Sequence, residues 1–327
     1  MKKKILILAF STISIGIFLS INPFSEILPK LRQVKLSYIY IFVVFVLIEH
    51  IFRALRWQIM LKNSHPGVKL FPTFLALLMS FFSNIFIPHS GIVTRLSYLK
   101  KFYKFPPTVN LGTFIAEKTG DSLMVVLLLS LTFFYSGFSI NKVVDITHSS
   151  QNFLLILTLV IFTGFLVFVL VKTVLKKQFL KLQTRAKEYA RSVWSGFHGL
   201  KDRKSLMLFS VYTLIIWFLY LFTFNIMFLS VDIVPSKTCL INTACIGNLS
   251  WIFPSQAGIG AYHVAVSTSL RFHGYSALDS SFLSVLTHSG ILFTDFIFGL
   301  SSLLITTFWS FRFSKPAMQE TIIAVAE

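Results

Sequence analysis

The residues able to do chemistry in this chain gather at breaks in apolar sequence. Residues 248–263 read NLSWIFPSQAGIGAYH, with Pro254, Gly258 and Gly260 inside seven positions and His263 just beyond. Proline removes a backbone donor and glycine gives up helical order. Hydrocarbon cannot satisfy the freed groups, so such a break must be buried in protein or line a wet cavity. The stretch is expected to be a re-entrant hairpin forming half of a transport site, against the plainer reading of a loop between two spans. A second break, IPHSGIVTR at 87–95, carries Pro88, Gly91 and Arg95. Arg53 and Arg56 stand three apart, and with Arg95 they are candidates for a clamp on a lipid phosphate, which a planar guanidinium fork suits. Snorkelling at a span end is the simpler reading of that pair, and Glu49–Arg53 has the spacing of a helical salt bridge. Glu117 and Asp121 share a helix face, and His288 and Asp295 lie on a later long helix. Ionisable groups at such depth are read as functional, with internal pairing the competing explanation.

These residues need a membrane to position them. The chain has 327 residues, 55% of them hydrophobic, and only 13% are charged, against about 25% in soluble domains. The net charge of +18 is read as basic cytoplasmic loops facing anionic lipid rather than as a nucleic-acid surface. Cys239 and Cys245 sit in apolar sequence and suggest packing, not a disulfide or a metal site. No HExxH, P-loop, GxSxG or spaced Cys/His cluster is present in the sequence, so no cofactor or metal is expected.

Lys2, Lys3 and Lys4 precede an apolar run at 5–21, read as an uncleaved first span with its N-terminus inside. Further spans are expected at about 36–55, 109–134, 153–171, 206–230 and 277–309. Trp57 is placed at the membrane interface. The run at 70–87 has basic residues on both flanks, so a hairpin that dips in and returns fits better than a simple span. The segment 238–253 is expected to enter, break at Pro254 and restart toward Arg271. The basic stretch 172–205 reads as a cytoplasmic linker, and Arg312 and Lys315 put the C-terminus inside. The expectation is an all-α polytopic membrane protein with about six full spans and two re-entrant broken-helix hairpins. A single membrane domain, 1–315, would be followed by a short tail at 316–327. Half-repeats at 36–171 and 206–310 are suggested because Asn84, Pro88 and Gly91 recur as Asn248, Pro254 and Gly258. Opposed repeats with broken helices are the usual frame of alternating-access transporters.

FRALRW at 52–57, FIPHSGIVTR at 86–95, IAEKTGD at 115–121 and FPSQAGIGAYH at 253–263 together resemble the membrane domain of lysylphosphatidylglycerol synthase, a broad flippase-like family. The resemblance covers about residues 5–310 and implies a lipid-handling protein of the bacterial cell membrane. About a dozen residues follow Lys315, so it does not imply the aminoacyl-transfer domain of the full synthase. Two departures stand out. Ile92 and Val93 occupy a place where many relatives are acidic, and His263 stands where many carry glutamate. Both changes remove negative charge and lean toward an anionic headgroup. They also leave His263 as a candidate titrating group near neutral pH, with a buried structural histidine as the commoner case. The function expected is binding and translocation of an anionic lipid or lipid-linked headgroup. A membrane scaffold for an envelope enzyme and an intramembrane lipid-modifying enzyme are the alternatives. Oligomeric state is left open.

Overall fold

The computed structural model describes residues 24–62, 66–103, 107–135, 200, 202–253 and 255–313. The expected first span, the loop at 138–151, the span at 153–171, most of the basic linker, Pro254 and the tail lie outside the described residues. Within them, every regular element is helical: α1 (Phe24–Leu31), α2 (Leu36–Lys62), α3 (Leu70–Phe86), α4 (Ser90–Tyr103), α5 (Pro107–Tyr135), α6 (Arg203–Leu229), α7 (Lys237–Ser250), a 3-10 turn at Gln256–Gly258, α8 (Ala261–Phe272) and α9 (Ala277–Phe313).

Length separates these helices into two kinds. α2, α6 and residues 277–308 of α9 are long and apolar enough to cross a membrane. At 1.5 Å per residue, the 27 residues of α2 and of α6 run about 40 Å, more than the ~30 Å hydrocarbon core. α3, α4, α7 and α8 have 17, 14, 14 and 12 residues, so each runs only about 18–26 Å. The short helices pair as two hairpins, α3–α4 and α7–α8.

The tip of the first hairpin is made by side-chain capping. α3 stops at Ile87, and His89 takes a left-handed φ of 59°. Asn84 Oδ1 accepts the Gly91 N–H at 2.7 Å, filling one orphan donor at the start of α4. Gly91 has to be glycine for a steric reason: a Cβ there would lie 2.5 Å from the Ser80 carbonyl oxygen. At the base, the Lys69 N–H donates to the Tyr103 hydroxyl at 3.4 Å, so both ends of the hairpin sit together.

The second hairpin turns differently. Three positive-φ residues within four positions, Ala257 (φ 52°), Gly258 (φ 74°) and Gly260 (φ 84°), carry the chain from the 3-10 turn into α8. Across the hairpin, Thr243 and Ser269 hydroxyls meet at 3.0 Å, and Asn242 Nδ2 lies 3.4 Å from His273 Nε2. α8 ends in a glycine cap: Gly274 has φ 87°, and the Tyr275 N–H reaches back to the Leu270 carbonyl at 3.2 Å.

The two sets of helices pack in matching ways. α2 lies along α6. α3 packs on α9 as α7 packs on α5. α4 packs on α5 as α8 packs on α9. The 256–258 turn of the second hairpin rests against α3 of the first. One apolar core holds Phe42, Met227, Phe228, Tyr262 and Leu283; another holds Trp57, Leu61, Leu75, Leu99 and Phe209. Trp57 thus does not face lipid or water. It is fully buried, because α2 continues as helix to Lys62 and turns this ring toward α3, α4 and α5, where Thr113 accepts its indole N–H at 3.0 Å.

Candidate functional site

Two polar clusters lie inside the bundle. The first is built on α2, α4 and α5, with α6 behind it. Arg56 is 2% exposed. Its Nη1 donates to Asp121 Oδ1 at 2.7 Å and to Thr213 Oγ1 at 3.1 Å, and its Nη2 donates to Asp121 Oδ2 at 3.2 Å. Arg95 donates from Nη1 to Glu117 Oε2 at 2.7 Å and from Nε to Ser80 Oγ at 3.2 Å. Its guanidinium lies 4.7 Å from the Trp57 ring centroid. Arg53 turns back along its own helix to Glu49, with Nε at 2.8 Å and Nη2 at 2.6 Å from Oε1. The pair at four-residue spacing therefore forms as its position on the helix allows.

Each arginine in this cluster already has a carboxylate. The three are close in sequence logic but do not present three open forks to a phosphate. Arg56 and Arg95 tie α2 and α4 to the same face of α5, on which Glu117 and Asp121 stand one turn apart. The bidentate Arg56–Asp121 geometry is the strong form of such a bond. Lys118 sits between those two carboxylates in sequence, yet its side chain is exposed.

The second cluster surrounds the tip of the α7–α8 hairpin. The His288 ring stacks on Tyr262 at 4.8 Å and meets the edge of His263 at 4.6 Å. His288 Nε2 lies 2.8 Å from the Ala257 carbonyl oxygen. A carbonyl only accepts, so this nitrogen carries the proton and donates. His263 Nδ1 accepts the Gly260 N–H at 3.2 Å, which requires that nitrogen to be unprotonated. The two imidazoles thus hold the backbone of the break at two points: one takes a donor at Gly260, the other supplies one at Ala257. Gly258 is crowded as well as left-handed, since a Cβ would stand 3.0 Å from Trp251 and 3.2 Å from His288 Nε2.

Asp295 does not join His288. It faces α2, where its Oδ1 lies 3.4 Å from His50 Nε2, without the alignment of a hydrogen bond. His50 is 6% exposed and packs its ring 4.8 Å from Phe81. Its position at the middle of an apolar run, beside Glu49, was the available sequence signal for this residue. Pro88 forms part of the first turn and Gly91 supports the close contact there. Cys239 and Cys245 are free and buried, in keeping with packing. At the other end of the second hairpin, Cys239, His273, Tyr275 and Asp279 line a cleft of about 390 Å³, and Lys30 pairs with Asp279. Among the described residues no group of three or more metal-ligating side chains forms.

The sequence matches the family described as Lysylphosphatidylglycerol synthase TM region over residues 5–313. No curated protein and no solved structure matches the chain. Paired short hairpins, buried charge pairs and helices of membrane-crossing length are thus found in a chain whose family match covers nearly all of it, and the chain belongs to the lysylphosphatidylglycerol synthase TM-region family.

Proposed function

We propose that this protein binds an anionic lipid or lipid-linked headgroup and moves it across the bacterial cell membrane. The observation that carries the reading is the meeting of two broken hairpins inside the bundle, the 256–258 turn of one lying on α3 of the other. Four short helices that fall below the thickness of a bilayer fit hairpins that enter and return. The matching contacts of α2–α5 and α6–α9 fit two halves of an inverted repeat, the arrangement in which broken helices meet near the midplane. In this reading there are about six full spans, both termini are cytoplasmic, and the chain transports rather than catalyses. Membrane lipid is the partner.

One observation favours a second reading, a membrane scaffold. The tip of the second hairpin is filled, with Gly258 pressed between Trp251 and His288. In a transporter this packing is one closed state; in a scaffold it is permanent. Accessibility of Gln256, exposed on the turn, separates the two. In a background with Cys239→Ala and Cys245→Ala, Gln256→Cys is treated with an impermeant thiol reagent from each face of oriented vesicles. A transporter labels from both faces. A scaffold labels from one face or neither.

A further inference from the structure

In the α2–α4–α5 cluster, four cations face three carboxylates. Arg53, Arg56 and Arg95 are each paired, with Glu49, Asp121 and Glu117. Lys118 stands on α5 between Glu117 and Asp121, but among the described residues no carboxylate stands within ion-pair distance of it. Its ammonium lies 5.8 Å from the Phe114 ring. The side chain is exposed, and it heads an exposed stripe along α5. Ser122 and Val126 follow at four-residue steps, beside Leu123, Leu127 and Leu131. From position 118 to 131 the stripe runs about 20 Å at 1.5 Å per residue, the length of an acyl chain or slightly more. A lysine left facing hydrocarbon is costly unless something compensates it.

We infer that Lys118 is the headgroup-binding residue of the protein, taking the phosphate of one anionic phospholipid whose acyl chains lie along the Leu123–Val126–Leu131 stripe. The inference rests on the lipid-handling reading above and names the residue that selects the headgroup. The three arginines are then positioning residues: they neutralise the carboxylates on α5 and leave one positive charge for the ligand. A zwitterionic headgroup carries its own cation and gains less from that single charge. A point charge on a flexible stem suits a phosphate that must be released.

The test uses the full chain in nanodiscs of phosphatidylcholine with phosphatidylglycerol as the minor lipid, released and weighed by native mass spectrometry. Lys118→Gln is expected to lower retained phosphatidylglycerol by about fivefold, the effect of one lysine near anionic lipid, with phosphatidylcholine unchanged. Lys118→Arg should restore it, and Lys101→Gln, on an exposed site of α4, should not lower it. Wild-type retention in Lys118→Gln overturns the inference. Displacement of phosphatidylglycerol by millimolar inorganic phosphate overturns the lipid as ligand. Should Lys118→Gln not insert, the wild-type chain is crosslinked to a photoactivatable phosphatidylglycerol. Crosslinks concentrated at residues 119–131 support the inference, and equal crosslinking of the exposed face of α6 overturns it. Binding without transport would leave this inference standing and overturn only the translocation reading.

Discussion

Asp121→Asn is the change whose cost the structure specifies most closely. The carboxylate accepts a two-pronged bond from Arg56, whose side chain is 2% exposed against 12% for Asp121. Asparagine keeps the shape and one acceptor but removes the charge, so a buried guanidinium is left uncompensated. Breaking such a pair costs about 3–5 kcal/mol, and the retained acceptor places this variant near about 3 kcal/mol. Arg56→Met should cost a similar amount, because it strands the Asp121 carboxylate without its two-pronged donor. The double variant removes both charges, so its loss should be well below the sum, with a coupling of about 2 kcal/mol or more. The assay is a double-mutant cycle of detergent-induced unfolding, followed by helical circular dichroism. Additive losses, or an Asp121→Asn cost below about 1 kcal/mol, would refute the reasoning: the pair would then behave as a solvated surface bridge.

Ala257 holds a left-handed φ of 52°, so Ala257→Gly should raise stability by about 1 kcal/mol in the same unfolding assay. Gly91→Ala should cost about 1–3 kcal/mol by forcing α4 off the Ser80 carbonyl, whereas Gly67→Ala, with nothing within 4 Å of its Cβ position, should be neutral. His263→Leu leaves the buried Gly260 N–H without its acceptor and should cost about 1–3 kcal/mol, and His263→Gln should recover much of it. Cysteines placed at Lys69 and Lys100 should label from the same membrane face, since the hairpin closes at its base; labelling from opposite faces would make α3–α4 a pair of simple spans.

How far the sequence carried depends on distance along the chain. Helices were legible because lipid leaves the backbone no other choice and because Pro88, Gly91, Gly258 and Gly260 punctuate the pattern. The Glu49–Arg53 pair was legible because helix geometry alone brings those side chains together. Arg56–Asp121 and Arg95–Glu117 lie 65 and 22 positions apart, so the sequence offered snorkelling or a phosphate clamp, and not the partners on α5 that Arg56 and Arg95 have. Trp57 was misplaced for the same reason: composition suits it to an interface, and only the packing of α4 and α5 buries it. At the second break, glycine marked two left-handed positions, but Ala257 takes a third that its residue type gives no reason to expect. Gly260 also acquires a different meaning. Its φ of 84° makes it a conformational requirement, so Gly260→Val or Gly260→Ala strains the turn whether or not substrate passes it. His263 takes the commoner of its two expected roles, a hydrogen-bonded structural histidine: its Nδ1 is the acceptor that holds this turn.

The central claim is translocation, and its most direct measurement is lipid scrambling by the purified chain. Vesicles are loaded with a fluorescent phosphatidylglycerol in both leaflets, and a membrane-impermeant quencher is added outside. If the protein translocates lipid, the inner-leaflet signal is lost in vesicles that contain the wild-type chain and is retained in protein-free vesicles; folded Lys118→Gln, holding about fivefold less of this lipid, should lose it more slowly. If the wild-type vesicles keep their inner-leaflet signal as protein-free vesicles do, under an imposed ion gradient of either direction as well as without one, the protein does not move this lipid and the scaffold reading replaces the transporter.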